Sequence, residues 1–356
     1  KGFGSYGFPE SHAASFAQLA YVSSWIKCHH PAAFACALLN SQPMGFYAPA
    51  QIVRDAIEHG VLVRPVDVNA SCWDNTLEVD APGAKPALRL GFRQIDGFSE
   101  SWGAKIAETR EVSYHEIERM QRLTGIPGRA MRLLADADAF RSLQLDRREA
   151  LWAVRRLPDD AALPLFASSA AQELGEEEDA HLPTMALGEH IVADYQMTRL
   201  SLKGHPMQLL RARLKAERIL SCAEVNDAKD GTRVRVAGLV LVRQRPGNGN
   251  AIFMTLEDES GVVNALLWAR QFEQFRRAVM MARLMVVTGR IQRSKENVVH
   301  LMAEHIEERN EALDGLSDAH RTAIELTRAD EFAHPQIPRG RHPRDARVVV
   351  KSRDFH

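Results

Sequence analysis

Two short glycine-bearing strings offer the first chemistry in this chain. Ile95-Asp96-Gly97-Phe98-Ser99, followed by Gly103 and Ile106, approximates the pattern of a helix-hairpin-helix: apolar-x-Gly-apolar-Gly, a small residue four on, an apolar residue three beyond. Such a hairpin presents backbone N–H groups at a helix N-terminus, which suits a phosphate oxygen. Gly97 stands at the first glycine, whereas Ser99 replaces the second and Gly103 replaces the usual alanine. With Phe98 between them and Lys105 about a turn inside the next helix, these residues are candidates for contact with duplex backbone. Gly125-Ile126-Pro127-Gly128-Arg129 is a looser second hairpin. Gly125, Gly128 and Arg129 are its candidates, and Pro127 removes one N–H donor. Two ordinary turns between packed helices fit the same spacings.

A second constellation lies nearer the C-terminus. Arg243 and Arg245 precede Pro246-Gly247-Asn248-Gly249, and Arg293 and Lys295 form a basic pair farther on. Around them run five β-type segments, RVRVAGLVLV, AIFMTLED, VVNALLW, LMVVTGRIQ and VVHLMAEHI, with a helical segment, Ala269 to Ala282, after the third. Five short strands with a helix after the third is the order of an OB-fold barrel. Such barrels bind single strands on strands 2 and 3, flanked by the loops joining strands 1–2 and 4–5. The two basic pairs fall in those loops. Phe253 and Trp268 are available as stacking faces, although Trp268 suits a core position equally well. OB barrels also serve as protein docking modules, so the fold alone does not choose.

Other clusters read as structure. Cys28-His29-His30 puts adjacent residues on different helix faces, without a further ligand at useful spacing. Glu257-Asp258-Glu259 closes a strand before Ser260-Gly261 and reads as a solvated turn. No P-loop, dinucleotide fingerprint or nucleophile elbow occurs, and no catalytic constellation is self-contained.

The elements that must position these residues are mostly helical at first. A helical stretch from Ser11 to about Leu39 is divided at His29-His30-Pro31. Further helices are expected over Pro49–Glu58, Glu100–Arg110, Tyr114–Arg122, Arg129–Ala135, Arg147–Arg156 and His205–Glu217. Val61–Val63 reads as a short strand and Asp80–Pro86 as a turn cluster. The stretch from Pro158 to Leu187, acidic and rich in Ala and Pro, reads as a linker. The 356 residues are 45% apolar and 26% charged, which suits two or three globular domains and excludes disordered or collagen-like classes. Four cysteines without CxxC spacing fit a reducing cytoplasm, and no apolar run reaches membrane-spanning length. The first residue is Lys with no leader pattern after it, so the chain is expected to begin in mid-sequence. The net charge of -1 averages an acidic stretch against a basic one. Leu157–Thr198 holds nine acids and no Lys or Arg, while Thr232–Arg309 holds twelve Lys/Arg against eight Asp/Glu.

The opening string Lys1-Gly2-Phe3-Gly4-Ser5-Tyr6-Gly7-Phe8-Pro9-Glu10-Ser11-His12-Ala13-Ala14 resembles the end of the fingers domain in bacterial C-family DNA polymerases, those like the alpha subunit of DNA polymerase III. Pro9-Glu10 resembles the error-prone, damage-inducible branch. The resemblance continues through Trp25–Ala32, Leu39–Tyr47, Leu90–Gly97, Asp138–Phe140, Leu200–Pro206, Val236–Gly247 and Ser352–His356. It implies residues 1–75 as the end of the fingers and 76–157 as a helix-hairpin-helix region. An acidic linker with connecting helices (158–230), an OB-fold (231–309) and a C-terminal tail (310–356) would follow. The implied parent is a DNA-directed DNA polymerase of translesion synthesis whose palm carboxylates, holding two Mg²⁺ ions, lie upstream. By that reading the present chain is inactive alone, binds no cofactor and holds DNA, both duplex backbone and single-stranded template. Ala162-Leu163-Pro164-Leu165-Phe166 resembles the sliding-clamp peptide Gln-Leu-x-Leu-Phe with Ala162 in place of Gln. The clamp would therefore be reached indirectly, through an inactive partner resembling a Y-family polymerase. A stand-alone single-strand-binding or protein-docking adaptor with an OB-fold is the rival reading.

Overall fold

The structure, a computed structural model, describes residues 10–44, 47–157, 183–245 and 249–317. The string Lys1–Pro9, the clamp-like residues 162–166, the loop residues Pro246–Asn248 and the terminal string Ser352–His356 lie outside them. The chain divides into two compact units, one running to Met185 and including Met197–Leu202, the other holding Ala186–Gln196 and continuing from Lys203.

In the first unit, α1 (Glu10–His29) and α2 (Pro31–Asn40) part at His30, as the following proline requires. Pro49 opens α3 (Pro49–Glu58) at the first helical position, where its missing N–H costs nothing. A small sheet follows, β1 (Val63–Arg64), β2 (Thr76–Glu78) and β3 (Ala87–Arg89), in the order β1-β3-β2. Glu78 ties it together, accepting from Arg64 at 2.5 Å and from Arg89 at 2.8 Å. These bonds, Arg89's first, hold the Glu78 carboxyl below its usual range. Helices α4 (Glu100–Thr109), α5 (Ile117–Thr124), α6 (Gly128–Asp136) and α7 (Arg147–Arg155) come next. Ile106, Met120, Leu134 and Ala150 from their apolar faces join Leu39, Leu88 and Phe92 in one core.

Helix α8 (Leu187–Thr198), which the sequence pattern does not announce, precedes α9 (Pro206–Ala216) and α10 (Cys222–Asp227). Beyond them β4 (Arg233–Gln244), β5 (Ala251–Asp258), β6 (Gly261–Trp268), β7 (Leu284–Arg293) and β8 (Val299–Glu308) close into a barrel in the order β4-β5-β6-β8-β7. Within the barrel β6 and β8 pair in parallel and the other neighbours antiparallel, so this is the five-stranded mixed barrel of an OB-fold, with α11 (Ala269–Met281) after its third strand. Gly289 permits the β7–β8 approach, because a Cβ there would lie 2.2 Å from the Met302 carbonyl oxygen. Val236, Met254, Leu256, Ala265, Val287 and Leu301 fill the interior, and α10 and α11 add Cys222, Val225, Phe275 and Val279. A separate cluster covers the outside of β4 and β7. There Met207, Leu210 and Leu214 of α9 and Leu313 of α12 (Asn310–Asp314) pack on Ala237, Leu239, Leu284 and Val286.

Glu257-Asp258-Glu259 corrects the expectation of a solvated turn. Asp258 is fully buried. It accepts from Arg211 Nη2 at 2.7 Å, the Cys222 amide at 2.8 Å and the Ser260 hydroxyl at 2.6 Å, while Arg211 Nε reaches Glu259 at 2.6 Å. One carboxylate thus pins α9 and α10 to the β5–β6 turn. Burial opposes its charge, but the bonds from Ser260, the Cys222 amide and Arg211 outweigh that and keep the carboxyl below its usual range. Burial, then the Asp258 charge, push the Cys222 thiol far up, so it is an inert core residue.

Candidate nucleic-acid interface

In the first unit both hairpins end at a helix N-terminus. Ile95 and Phe98 are buried and anchor the first turn, with Phe98 against Phe92 and edge-on to Trp102. Between them Gly97 takes φ +72°, a left-handed conformation that other residues adopt at a cost. The Asp96 amide donates to the Met197 carbonyl at 2.7 Å, which fixes the turn from its other side. Ser99 is the N-cap of α4, yet its hydroxyl meets Ser101 Oγ at 2.9 Å instead of capping the helix. The N-terminus of α4 thus has no side-chain cap, although the Trp102 amide donates to the Ser99 carbonyl at 3.1 Å and Glu100 brings a negative charge to the same turn. Lys105 is exposed on that helix.

The second hairpin is the more complete. Helix α5 ends at Gly125 with φ +58°, its amide donating to Gln121 at 2.8 Å, and only Ile126 and Pro127 separate it from α6. The segment before α4 is a single 3₁₀ turn, Phe92–Gln94. The looser string thus makes the full helix–turn–helix, with Pro127, which has no N–H to offer, at the N-cap of α6. Gly128 is buried at the start of α6 and Arg129 is exposed. A Cβ placed on Gly97 would lie 4.0 Å from Arg129 Nη2, so the two hairpins meet at this pair.

In the second unit the covered faces define the open one. With α9 and α12 over β4 and β7, the outward residues of β5 and β6 remain: Phe253 opposite Leu266, Thr255 opposite Asn264, Ala251 opposite Trp268. Phe253 is half-buried, its ring 6.3 Å from that of His300, and Trp268 is 43% exposed. Trp268 therefore belongs to the surface, not the core.

The four basic loop residues divide into two kinds. A β-bulge between Val240 and Val242 shifts the β4 register, setting Arg243 opposite the fully buried Met254. Its guanidinium donates to the carbonyls of Val279 and Ala282 and so caps the end of α11. Arg293 donates to the carbonyls of Asn226 at 2.5 Å and Ala228 at 2.9 Å, and to the Asn297 side chain, capping α10. The expectation that both lie free in loops to follow a strand is corrected: their donors are spent on helix C-termini. Arg245 and Lys295 remain exposed.

Among the described residues no group of three or more His, Cys, Asp or Glu side chains could hold a metal ion. The neighbouring carboxylates Asp258 and Glu259 are taken up by Arg211. The residues here thus do not fit a Mg²⁺ pair. Among the described residues no helix is long and apolar enough to cross a membrane.

Residues 60–150 match the helix-hairpin-helix motif family and residues 234–309 match the OB-fold nucleic acid binding domain family. Over its whole length the chain is 57% identical to the error-prone DNA polymerase of Brucella abortus biovar 1 (strain 9-941), covering 32% of that protein. It is 55% identical to the error-prone DNA polymerase of Rhodopseudomonas palustris (strain BisB5), covering 34%. Among solved structures, asparaginyl-tRNA synthetase from Pyrococcus horikoshii is 27% identical over 25% of this chain and 22% of its own, with a TM-score of 0.23. The chain spans about a third of the length of the curated relatives it matches. With a helix-hairpin-helix region followed by an OB-fold barrel, it is similar over its whole length to the C-terminal third of error-prone DNA polymerases.

Proposed function

We propose that this chain is the DNA-holding part of a polymerase that copies damaged template, acting in the bacterial cytoplasm. The observation that carries this reading is the placement of the exposed Arg129 guanidinium beside the left-handed Gly97 turn that leads into α4, a helix whose N-terminus has no side-chain cap, an arrangement that suits backbone phosphates and ignores base identity. A polymerase must grip arbitrary template in that way. The open barrel face, with Phe253 to stack and Lys295 and Arg245 at its edges, takes the single-stranded template. The palm carboxylates and their two Mg²⁺ ions lie in the remainder of the parent protein, which carries out nucleotidyl transfer. Recruitment runs through an inactive Y-family-like partner, since Ala162 lacks the amide with which a clamp peptide's Gln bonds to the pocket rim.

The test is duplex affinity by fluorescence anisotropy. Gly97→Val, which forces a β-branched residue into φ +72°, and Arg129→Ala are each expected to weaken duplex binding severalfold. Equal affinity in a folded Gly97→Val protein removes the hairpin reading.

A further inference from the structure

A cleft lies between α11 and the β4–β5 corner of the barrel, with Arg243, the residue that caps α11, in its wall. It measures about 230 Å³ and is lined by Ile252 and Val279, both buried, by Phe272 and Met280, and by Gln244, Arg245 and Arg276. Phe272 is half-buried, and Gln244, Arg245, Arg276 and Met280 are exposed. The Arg245 guanidinium carbon lies 5.9 Å from the centroid of the Phe272 ring, and its Nε donates to the Gly249 carbonyl at 3.0 Å. Arg276 is 67% exposed and meets Glu273 only at 3.7 Å. Arg270 and Arg277 on the same helix add positive charge.

A small cleft lined by apolar side chains, an aromatic ring and two exposed guanidiniums suits a planar, weakly polar group tethered to negative charge. A nucleobase with its phosphates is such a group, and the Gln244 amide offers a donor and an acceptor to its edge. The topology favours the same occupant. Gln244 pairs with Phe253, whose side chain belongs to the open face of β5 and β6, so a strand lying on that face reaches the cleft. We propose that the cleft receives one base of a single-stranded nucleic acid, held against Phe272, while Arg245 and Arg276 take the adjoining phosphates. This rests on the reading of the barrel face as a single-strand surface.

The experiment compares binding of fluorescein-labelled dT12 and of an abasic oligomer of equal length to the full 356-residue chain. Met280→Trp, a filling substitution at a residue that is 45% exposed, should lower dT12 affinity at least threefold and leave the abasic oligomer unaffected. Arg245→Ala with Arg276→Ala should weaken both oligomers and lower the salt slope by about 1.4, two single-strand phosphate contacts. This pair decides the matter if Met280→Trp fails to fold. Parental dT12 affinity and slope in these variants overturn the cleft proposal and remove Arg245 from the edge of the face, leaving Phe253 and Lys295 to carry the face reading. Failure of the parent chain to bind dT12 at all overturns the face reading, and the cleft with it. A labelled Glu/Leu/Phe peptide displaced by Met280→Trp, with dT12 binding unchanged, would assign the cleft to an acidic protein partner and also overturn the proposal.

Discussion

Arg243 and Arg293 show how little a residue's type says about its work. Both stand in basic pairs beside barrel loops, where a strand-binding role is the natural expectation. Each instead ends a helix, because a bulge turns Arg243 toward α11 and the β7–β8 corner brings Arg293 to α10. Removing the Arg243 side chain strands two carbonyls at the C-terminus of α11, and hydrogen bonds from a charged donor contribute on the order of 2 kcal/mol. Arg243→Ala is therefore expected to lower unfolding stability by about 2 kcal/mol, while Lys295→Ala, whose side chain is exposed, leaves stability unchanged and weakens binding to dT12. Urea melts and anisotropy on the two variants check this. A stable Arg243→Ala protein that has lost single-strand affinity would return Arg243 to the interface.

At the scale of elements, the barrel was the most legible part of the sequence. Its five apolar runs each became one strand, and the helical run after the third became α11, because strand and helix periodicities differ over segments that long. Proline marked the openings of α2, α3 and α9 equally well. The signal was missing for β2 and β3, three residues each, whose pairing depends on β1. It was missing too for α8, which follows directly on the acidic Ala/Pro-rich stretch. The candidate site was half legible: the glycines and exposed bases could be named, but the meeting of Gly97 with Arg129 and the bulge in β4 are tertiary facts. The same holds for the Arg211–Asp258 clamp, whose partners are 47 residues apart. That clamp predicts a pH dependence. The Asp258 carboxyl is held below its ordinary value of about 3.9 when folded. Its contribution is therefore complete above the unfolded value and lost as pH falls through the folded one. Asp258→Asn should cost on the order of 3 kcal/mol at pH 7, and the gap to the parent protein should narrow below about pH 4. A gap in denaturant stability that stays constant between pH 7 and pH 3 would show that the charge on Asp258 is not what anchors α9 and α10.

For the molecule as a whole, the question is what a chain similar to about a third of an error-prone DNA polymerase can do by itself. Phosphoryl transfer from a nucleoside triphosphate needs carboxylates that hold two metal ions a few ångströms apart. The described residues offer no such group, and the fully buried Asp258 is paired with Arg211. Binding requires less: an uncapped helix N-terminus, exposed guanidiniums and accessible aromatic rings, each of which the described residues include. The 356-residue chain is accordingly expected to bind a primer–template with a single-stranded overhang more tightly than either blunt duplex or dT12. Two surfaces engaged together raise the effective concentration of the second, so the gain should exceed the better single affinity by tenfold or more, on the order of the lower end seen for linked sites. It should nevertheless add no nucleotide when Mg²⁺ and the four deoxynucleoside triphosphates are supplied. Gly97→Val should reduce the overhang substrate to the affinity of dT12, and Lys295→Ala should bring it toward that of blunt duplex. Primer extension on a denaturing gel, run beside anisotropy on the three substrates, reads both halves of the prediction. Template-directed extension by the purified chain would place catalytic carboxylates within these residues, and equal affinity for all three substrates would mean that the hairpins and the barrel do not act on one DNA.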